Sequence, residues 1–311
     1  MIKIGFLLID GFALMSYSSV VEPLRAANLL SEKQLYDLKN ISSLNSYSYS
    51  SSGAKIETNS IKSLQSSLDI LMVFAGGDPF LFDDKKVFDW LRKISREGCM
   101  LGGVSGGPVI LASAGLMNGR RMTLHWEHSE TFSELWPLIV LEKSLYIIDR
   151  DRITCAGGIA PLDLMYALIT EHHGEKFARR VSDWYMHTEI RPSGGPQRSG
   201  IVERYGVNNF NIVLAIEFME NHLSDILSLP QISKLVRLSP RQLNRLFKVH
   251  LNNSTMDFYK NLRLSLSKRL LKQSTLSITE IAFTAGFSSS AQFSHSFKTK
   301  FGIVPSLYRT E

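Results

Sequence analysis

The hydrophobic pattern changes character along the chain. Through residue 190, short apolar runs alternate with segments of helical period. Residues 2–9 form an apolar run of the kind expected for a strand covered on both faces. Residues 18–30 place Val21, Leu24 and Leu29 at helical spacing. A second apolar strand, 70–74, ends at Ala75-Gly76-Gly77, and 84–96 reads as a helix through Val87, Trp90, Leu91 and Ile94. A strand is expected at 100–104 and a helix at 108–114, with proline in its first turn. Short strands near 121–124, 145–148 and 152–155 precede a helix at 161–173. Strands alternating with helices predict βαβ units and a mostly parallel sheet. The Ser-rich stretch 42–52 has few apolar positions and reads as a loop or a weak edge hairpin.

The pattern breaks at 191–200, where three glycines and two prolines fall in ten residues. That composition predicts a linker. Beyond about residue 209 the chain reads as helical with polar breaks. The expected organisation is a domain at 1–190, a linker at 191–208 and an all-α domain at 209–311.

Two segments of the last region have the form of helix-turn-helix units. In the first, Ile232, Leu235 and Val236 mark a short helix. Ser239 then stands as N-cap with Pro240 at the first helical position, and Leu243, Leu246 and Phe247 are spaced for burial. Arg241, Gln242, Asn244, Arg245 and Lys248 are left on the other faces. Arg pairs bidentately with guanine and Asn or Gln with adenine, so this set suits a major groove. In the second unit Thr279 is the expected cap, Gly286 makes the turn and Ser288 opens the next helix. Phe293 and Phe297 go to the core, leaving Ser289, Ser290, Gln292, His295 and Lys298 for DNA. One helix, about 256–273, joins the units.

Charge strengthens this reading. Residues 209–311 carry 13 Lys+Arg against 6 Asp+Glu, whereas 1–190 carry 19 against 22. A basic third on a slightly acidic body is an electrostatic sign of polyanion binding. Apolar residues make up 44% of the 311 and charged residues 21%, which excludes wholesale disorder. No apolar run is long enough to span a membrane, and the N-terminus reads as a strand and not a leader. Two cysteines, Cys99 and Cys155, make neither a disulfide framework nor a four-ligand zinc site. No Walker or dinucleotide fingerprint is present, so neither metal nor cofactor is expected. A soluble, cytoplasmic protein is the expectation.

The C-terminal motifs carry a resemblance. Ile281-Ala282, Gly286-Phe287, Phe293, Phe297-Lys298 and Phe301-Gly302-Ile303-Val304-Pro305 resemble the signature of the AraC/XylS family of transcription regulators. The resemblance implies two recognition helices entering successive major-groove segments, roughly 34 Å apart. The chain departs from the family at Leu251-Asn252-Asn253-Ser254, where a glycine-containing turn is usual.

The N-terminal half holds a different motif. Gly103-x-Ser105-x-Gly107, between a strand and a helix, has the form of a nucleophile elbow. His125 is the candidate base and Glu22, at the start of the first predicted helix, a third pocket residue. All three are expected at the carboxyl ends of the strands, where open α/β sheets bind ligands. Gly76, Gly77, Gly106, Trp126 and Cys155 complete the expected pocket, although a buried inert thiol is the plainer reading of Cys155. His128 and His172-His173 lack metal-ligand spacing and read as surface or helix-end residues.

This half resembles the class I glutamine amidotransferase-like domain of the PfpI superfamily, and more closely the sensor half of GlxA-type AraC regulators. The resemblance rests on Val21 to Asn28, Ala75-Gly76-Gly77, Gly102 to Gly115, Gly119 to Trp126 and Thr154 to Gly158. It implies a flavodoxin-like parallel sheet with flanking helices. The superfamily's enzymes carry cysteine at the elbow; Ser105 here removes that thiolate. The expected function is therefore a non-catalytic transcriptional regulator, probed on one side by double-stranded DNA and on the other by a small-molecule effector. The resemblance implies an amino acid or a quaternary amine such as betaine or carnitine as effector, transcriptional activation through RNA polymerase, and a homodimer formed by the N-terminal domains. The alternatives are a PfpI-like hydrolase using Ser105 and His125, fused to a DNA-binding domain, and a purely structural glycine turn with no ligand.

Overall fold

Apolar strands and amphipathic helices assemble largely as their periods predict. The computed structural model describes residues 1–43, 46–63, 67–274 and 276–310, and divides into two units, Met1–Gln197 and Arg198–Glu311. In the first unit the strands are β1 (Ile2–Leu8), β2 (Tyr36–Ser42), β3 (Tyr47–Tyr49), β4 (Lys55–Glu57), β5 (Asn59–Ser60), β6 (Ile70–Ala75), β7 (Met100–Ser105), β8 (Arg121–Met122), β9 (Val140–Leu141), β10 (Tyr146–Asp149) and β11 (Arg152–Cys155). The helices are α1 (Leu14–Leu30), α2 (Lys85–Arg96), α3 (Gly107–Ser113), α4 (Ser129–Leu135), α5 (Ala160–His173) and α6 (Glu175–Trp184).

Among the described residues, seven strands form one sheet in the order β10-β11-β7-β6-β1-β2-β5. Every neighbouring pair is parallel except β10 and β11. Strand β6 shows why the sheet needs two covered faces. Ile70, Met72 and Phe74 join the core under α1 and α5, while Leu71, Val73 and Ala75 join the core under α2 and α3. All six are buried, so the strand reads as a continuous apolar run.

Local differences from the sequence reading have local causes. Helix α1 begins at Leu14, four residues before the expected start. Within 42–52, strand β3 pairs antiparallel with β4, the hairpin alternative; positions 44 and 45 lie outside the described residues. Strands β8 and β9 pair with each other outside the main sheet. The stretch expected as a linker, 191–208, is divided between the units. Buried Asp163 accepts hydrogen bonds from the Arg191 backbone N (2.9 Å), Nε (2.9 Å) and Nη2 (2.6 Å), and pairs with His187 Nε2 at 3.0 Å. Residues 191–197 thus stay with the first unit. Side-chain anchors override a Gly/Pro composition that forms no regular element of its own.

In the second unit the helices are α7 (Ile201–Tyr205), α8 (Phe210–Asn221), α9 (Leu229–Leu235), α10 (Pro240–Leu251), α11 (Thr255–Gln273), α12 (Ile278–Thr284), α13 (Ser290–Phe301) and α14 (Pro305–Thr310). One core gathers Ile216, Ile232, Leu243, Phe247 and Tyr259; another gathers Leu266, Leu270, Ile281, Phe293 and Phe297. Helix α11 contributes to both and so fixes the two helix-turn-helix halves to one axis. Its Arg263, nearly buried, donates Nε to Ala285 O and Nη2 to Gly286 O, both at 2.7 Å, with the guanidinium 4.2 Å from the Phe287 ring centroid. A cation therefore satisfies the two carbonyls that follow α12 and holds the second turn.

Caps correct two sequence expectations. Helix α12 is capped by Ser277 and not Thr279, because Glu280 Oε2 accepts from Ser277 N at 2.7 Å and Ser277 Oγ accepts from Glu280 N. A glutamate at the third helical position selects the serine three residues before it. Helix α13 is capped by Ser289, one residue after the expected start. The departure at 251–254 also resolves. Asn252 ends α10 with φ 52°, the left-handed cap that Gly302 supplies to α13 with φ 80°. Asparagine tolerates that region better than other non-glycine residues.

Asn252→Gly should leave the urea unfolding of the second unit unchanged within a few tenths of a kcal/mol, and Asn252→Val should destabilise it by about 1–3 kcal/mol. Gly286→Ala should be at least as damaging. Gly286 has φ 71°, and an added Cβ would lie 2.6 Å from Ile226 Cγ1 and 2.7 Å from Leu223 O.

Candidate functional site

The elbow is built by a conflict between chain reversal and space. Strand β7 must turn into α3 within one residue, and Ser105 absorbs the reversal with φ 61°. Such a conformation costs a non-glycine residue of the order of 1–3 kcal/mol. It persists because its neighbours are small. A Cβ on Gly107 would lie 2.0 Å from Val73 O, and one on Gly157 would lie 2.7 Å from Ser105 Cβ. Gly106 packs over Pro79, Gly76 lies against Gly11 O, and Gly77 follows with φ 60°. The carboxyl ends of β6, β7 and β11 therefore meet at Ser105, which is 9% exposed.

The structure brings some expected residues to this point and not others. His125 donates its backbone N–H to Ser105 O at 3.4 Å. Its ring faces other partners: Nδ1 accepts from Glu127 N at 3.4 Å, and the Trp126 ring lies 5.4 Å away. Among the described residues no hydrogen bond joins Ser105 Oγ to an imidazole. The serine thus lacks the proton acceptor that nucleophilic attack requires. Cys155 is fully buried, and burial pushes its thiol up to about 12, so it is an inert core residue.

Glu22 does not meet the elbow. Its carboxylate pairs with Arg25 at 2.7 Å and reaches Tyr185 Oη at 3.4 Å, and its carbonyl also accepts from Tyr185 Oη. The early start of α1 explains this. Ser16, six residues before Glu22 and so about 9 Å back along the helix, takes the place at the elbow. Ser16 is buried, and its Oγ accepts from Gly158 N at 2.9 Å, beside Ser105. The signal was available in a helix beginning directly after the β1 turn. His128, expected at the surface, is instead 4% exposed, packed on Phe80 and 5.9 Å from the His125 ring. Its Nδ1 is buried with no partner among the described residues.

The second unit presents two matched helix faces. From 241 to 251 the order of buried and exposed positions recurs at 291–301, with Leu243 and Phe247 answered by Phe293 and Phe297. Arg241, Arg245 and Lys248 are exposed at i, i+4 and i+7 on α10, and His295 and Lys298 on α13. Arg241 and Arg245 make no ion pair among the described residues. Gln242 and Gln292 are exposed but tied by their amide oxygens, to Ser239 N at 2.9 Å and to Ser288 Oγ at 2.9 Å. Their NH2 groups remain as donors. Asn244 is half-buried, and its Oδ1 accepts from Thr255 N at 3.0 Å, which joins α10 to the start of α11. Ser289 is occupied as a cap and Ser290 is half-buried. No His, Cys, Asp and Glu cluster among the described residues has a metal-binding arrangement, and no described helix is long and apolar enough to cross a membrane.

Burial pulls the His128 imidazolium down to about 4, and His125 is lowered by the same cause. An unfolded histidine titrates near 6.5, so between about pH 6.5 and 4 the unfolded chain binds the extra protons. Stability present above pH 6.5 is lost as pH falls through that window, by up to about 3 kcal/mol for His128. Urea titrations from pH 7 to 4 should show this slope, and His128→Gln should flatten it.

Residues 2–171 match the DJ-1/PfpI family, and residues 232–311 match a helix-turn-helix domain family. The chain is 42% identical over 308 residues to the HTH-type transcriptional regulator GlxA of Rhizobium meliloti, covering 99% of this chain and 95% of the relative. It is 38% identical to the HTH-type transcriptional regulator CdhR of Pseudomonas aeruginosa, covering 97% and 89%. A crystal structure of an AraC family transcriptional regulator from Pseudomonas putida superposes with a TM-score of 0.54 at 24% identity, over 60% of this chain and all of that one. Its fold is shared. A DJ-1/PfpI unit whose elbow holds an unassisted serine, followed by paired helix-turn-helix motifs, places the chain in the GlxA-type family of HTH transcriptional regulators.

Proposed function

We propose that this DNA-binding regulator is switched by a small metabolite held beside Ser105. The observation that carries the reading is the elbow itself. A strained serine is kept at the convergence of three strands, nine-tenths buried and with no hydrogen bond to a base. Strain retained where nucleophilic assistance is missing fits a binding role better than a catalytic one. Ser105, Gly106, His125 and Trp126 form the proposed lining, with Gly76 and Gly77 shaping the neighbouring strand end and Ser16 replacing Glu22. The effector class is an amino acid or a quaternary amine such as betaine or carnitine. It acts only through different affinity for two states of the protein. Activation of transcription through RNA polymerase, dimerisation by the first units and a cytoplasmic location complete the proposal.

On DNA, Arg241, Arg245 and Lys248 of α10 and Gln292, His295 and Lys298 of α13 are the proposed contacts. Gln242 contributes through its free amide hydrogens. Asn244 and Ser289 act instead as structural supports of those helices.

A thermal-shift screen of the full chain against amino acids, quaternary amines and polyamines tests the pocket. A saturable rise should follow RT ln(1 + [L]/Kd) and be lost in Ser105→Ala. A rise that survives both Ser105→Ala and His125→Ala would move the site elsewhere. On DNA selected from random sequence, Arg245→Ala should weaken binding by about 1–3 kcal/mol and relax preference at one base position. Equal weakening on every sequence would make it a phosphate contact. Asn244→Ala should lower thermal stability and leave base preference unchanged.

A further inference from the structure

A path of hydrogen bonds runs from the elbow to the last residue of the first unit. Ser105 O accepts from His125 N at 3.4 Å. The preceding residue, Leu124, gives its carbonyl to Gln197 Nε2 at 3.1 Å. The same nitrogen reaches Thr123 Oγ1 at 3.0 Å and Ser144 O at 2.7 Å. Gln197 closes the first unit, and the next residue opens the second. Upstream, Arg191 is locked onto buried Asp163, and Ser193 O accepts from Leu145 N at 2.7 Å. Between the Arg191 and Gln197 anchors, Pro192, Ser193, Gly194 and Pro196 are exposed. Gly195 is buried against Leu145, so the segment is a strap with side-chain anchors at its two ends and a hold on Leu145 between them.

The two ends differ. The Asp163 end is an ion pair in which Arg191 Nε and Nη2 both donate to Oδ2 and the Arg191 backbone N to Oδ1, the stronger kind of anchor. The Gln197 end is neutral, and its Oε1 is buried with no hydrogen-bond partner among the described residues. An amide satisfied on the donor side alone is the weaker anchor, and all its acceptors lie in or beside the segment that carries His125.

We propose that Gln197 is a positioning residue that couples the elbow to the chain entering the DNA-binding unit. An occupant beside Ser105 that displaces residues 123–125 withdraws two of the three acceptors of Gln197, Thr123 Oγ1 and Leu124 O, leaves only Ser144 O, and so weakens the far end of the strap while Arg191 stays fixed. The coupling is reciprocal: releasing Gln197 loosens the His125 wall of the pocket. The physiological occupant rests on the effector reading above; the coupling itself does not.

The test supplies a defined occupant. In full-length Ser105→Cys, prolonged treatment with N-ethylmaleimide, followed to complete labelling by mass spectrometry, should modify the introduced thiol in preference to Cys99 and Cys155, which are buried and whose thiols burial pushes up to about 12. Native-state trypsin cleavage after Arg198, followed by mass spectrometry, reads the strap. Labelling should raise that rate several-fold. Gln197→Leu should show the raised rate unlabelled, and labelling Ser105→Cys in that background should add nothing. Hydrogen exchange gives a second reading without the cysteine: Gln197→Leu should lose protection at the His125 amide. Complete labelling with an unchanged cleavage rate, or an unchanged His125 amide, overturns the coupling. A strap that responds to labelling in a protein that no screened metabolite stabilises would sustain the coupling and overturn the effector reading.

Discussion

The backbone at Ser105 is the constraint on which the first unit depends. A residue with φ 61° between a strand and a helix leaves no room for side chains where the two elements touch. Val73 O lies so close to Gly107 that the start of α3 and the body of β6 are in backbone contact. That closeness lets α3 bury Val109, Ile110 and Leu111 directly on the sheet. It also draws the Gly157 turn and the first turn of α1 around the serine. The close approach of β6, α3 and the Gly157 turn is a consequence of one turn that only small residues permit.

The second unit solves a related problem twice with different residues. Each helix-turn-helix needs a left-handed residue in its turn, and Arg237 and Gly286 supply it with φ of 57° and 71°. Gly286 is irreplaceable because Ile226 and Leu223 crowd it, while Arg237 is exposed. The second turn has a further hold in Arg263, whose guanidinium replaces the water its carbonyls would otherwise need. A single helix, α11, provides that hold and both cores.

Much of this was legible in the sequence where the cause is local. Spacing of Leu243 with Phe247 and of Phe293 with Phe297 fixed the buried faces of the recognition helices, and Ser239-Pro240 fixed a start. The glycines around Ser105 marked the elbow. What escaped depends on contacts between distant residues. His128 is buried by Phe80, 48 positions away, and nothing in its own neighbourhood announces that. Asp163 meets Arg191 across 28 residues, so a Gly/Pro-rich stretch that read as linker is partly strapped down. Glu22 was misplaced for a geometric reason: a helix that starts four residues early carries every later position about 6 Å further along its axis, so Glu22 lies two turns into α1 and not at its start. Asn244 and Ser289 have side chains of the right chemistry for bases, and only the folded structure shows them spent on helix junctions.

A serine at the elbow has a consequence for thiol chemistry in this chain. Oxidants attack thiolates, and at neutral pH a thiol pushed up to about 12 is ionised in only about one molecule in 10⁵. Cys99 and Cys155 are both of this kind, and Ser105 has no sulfur to offer. Burial thus disfavours the thiolate, the form that oxidants attack, at both cysteines. The turn at the focus of the sheet thus presents a hydroxyl, which stays protonated at neutral pH, where a cysteine would present an oxidisable sulfur.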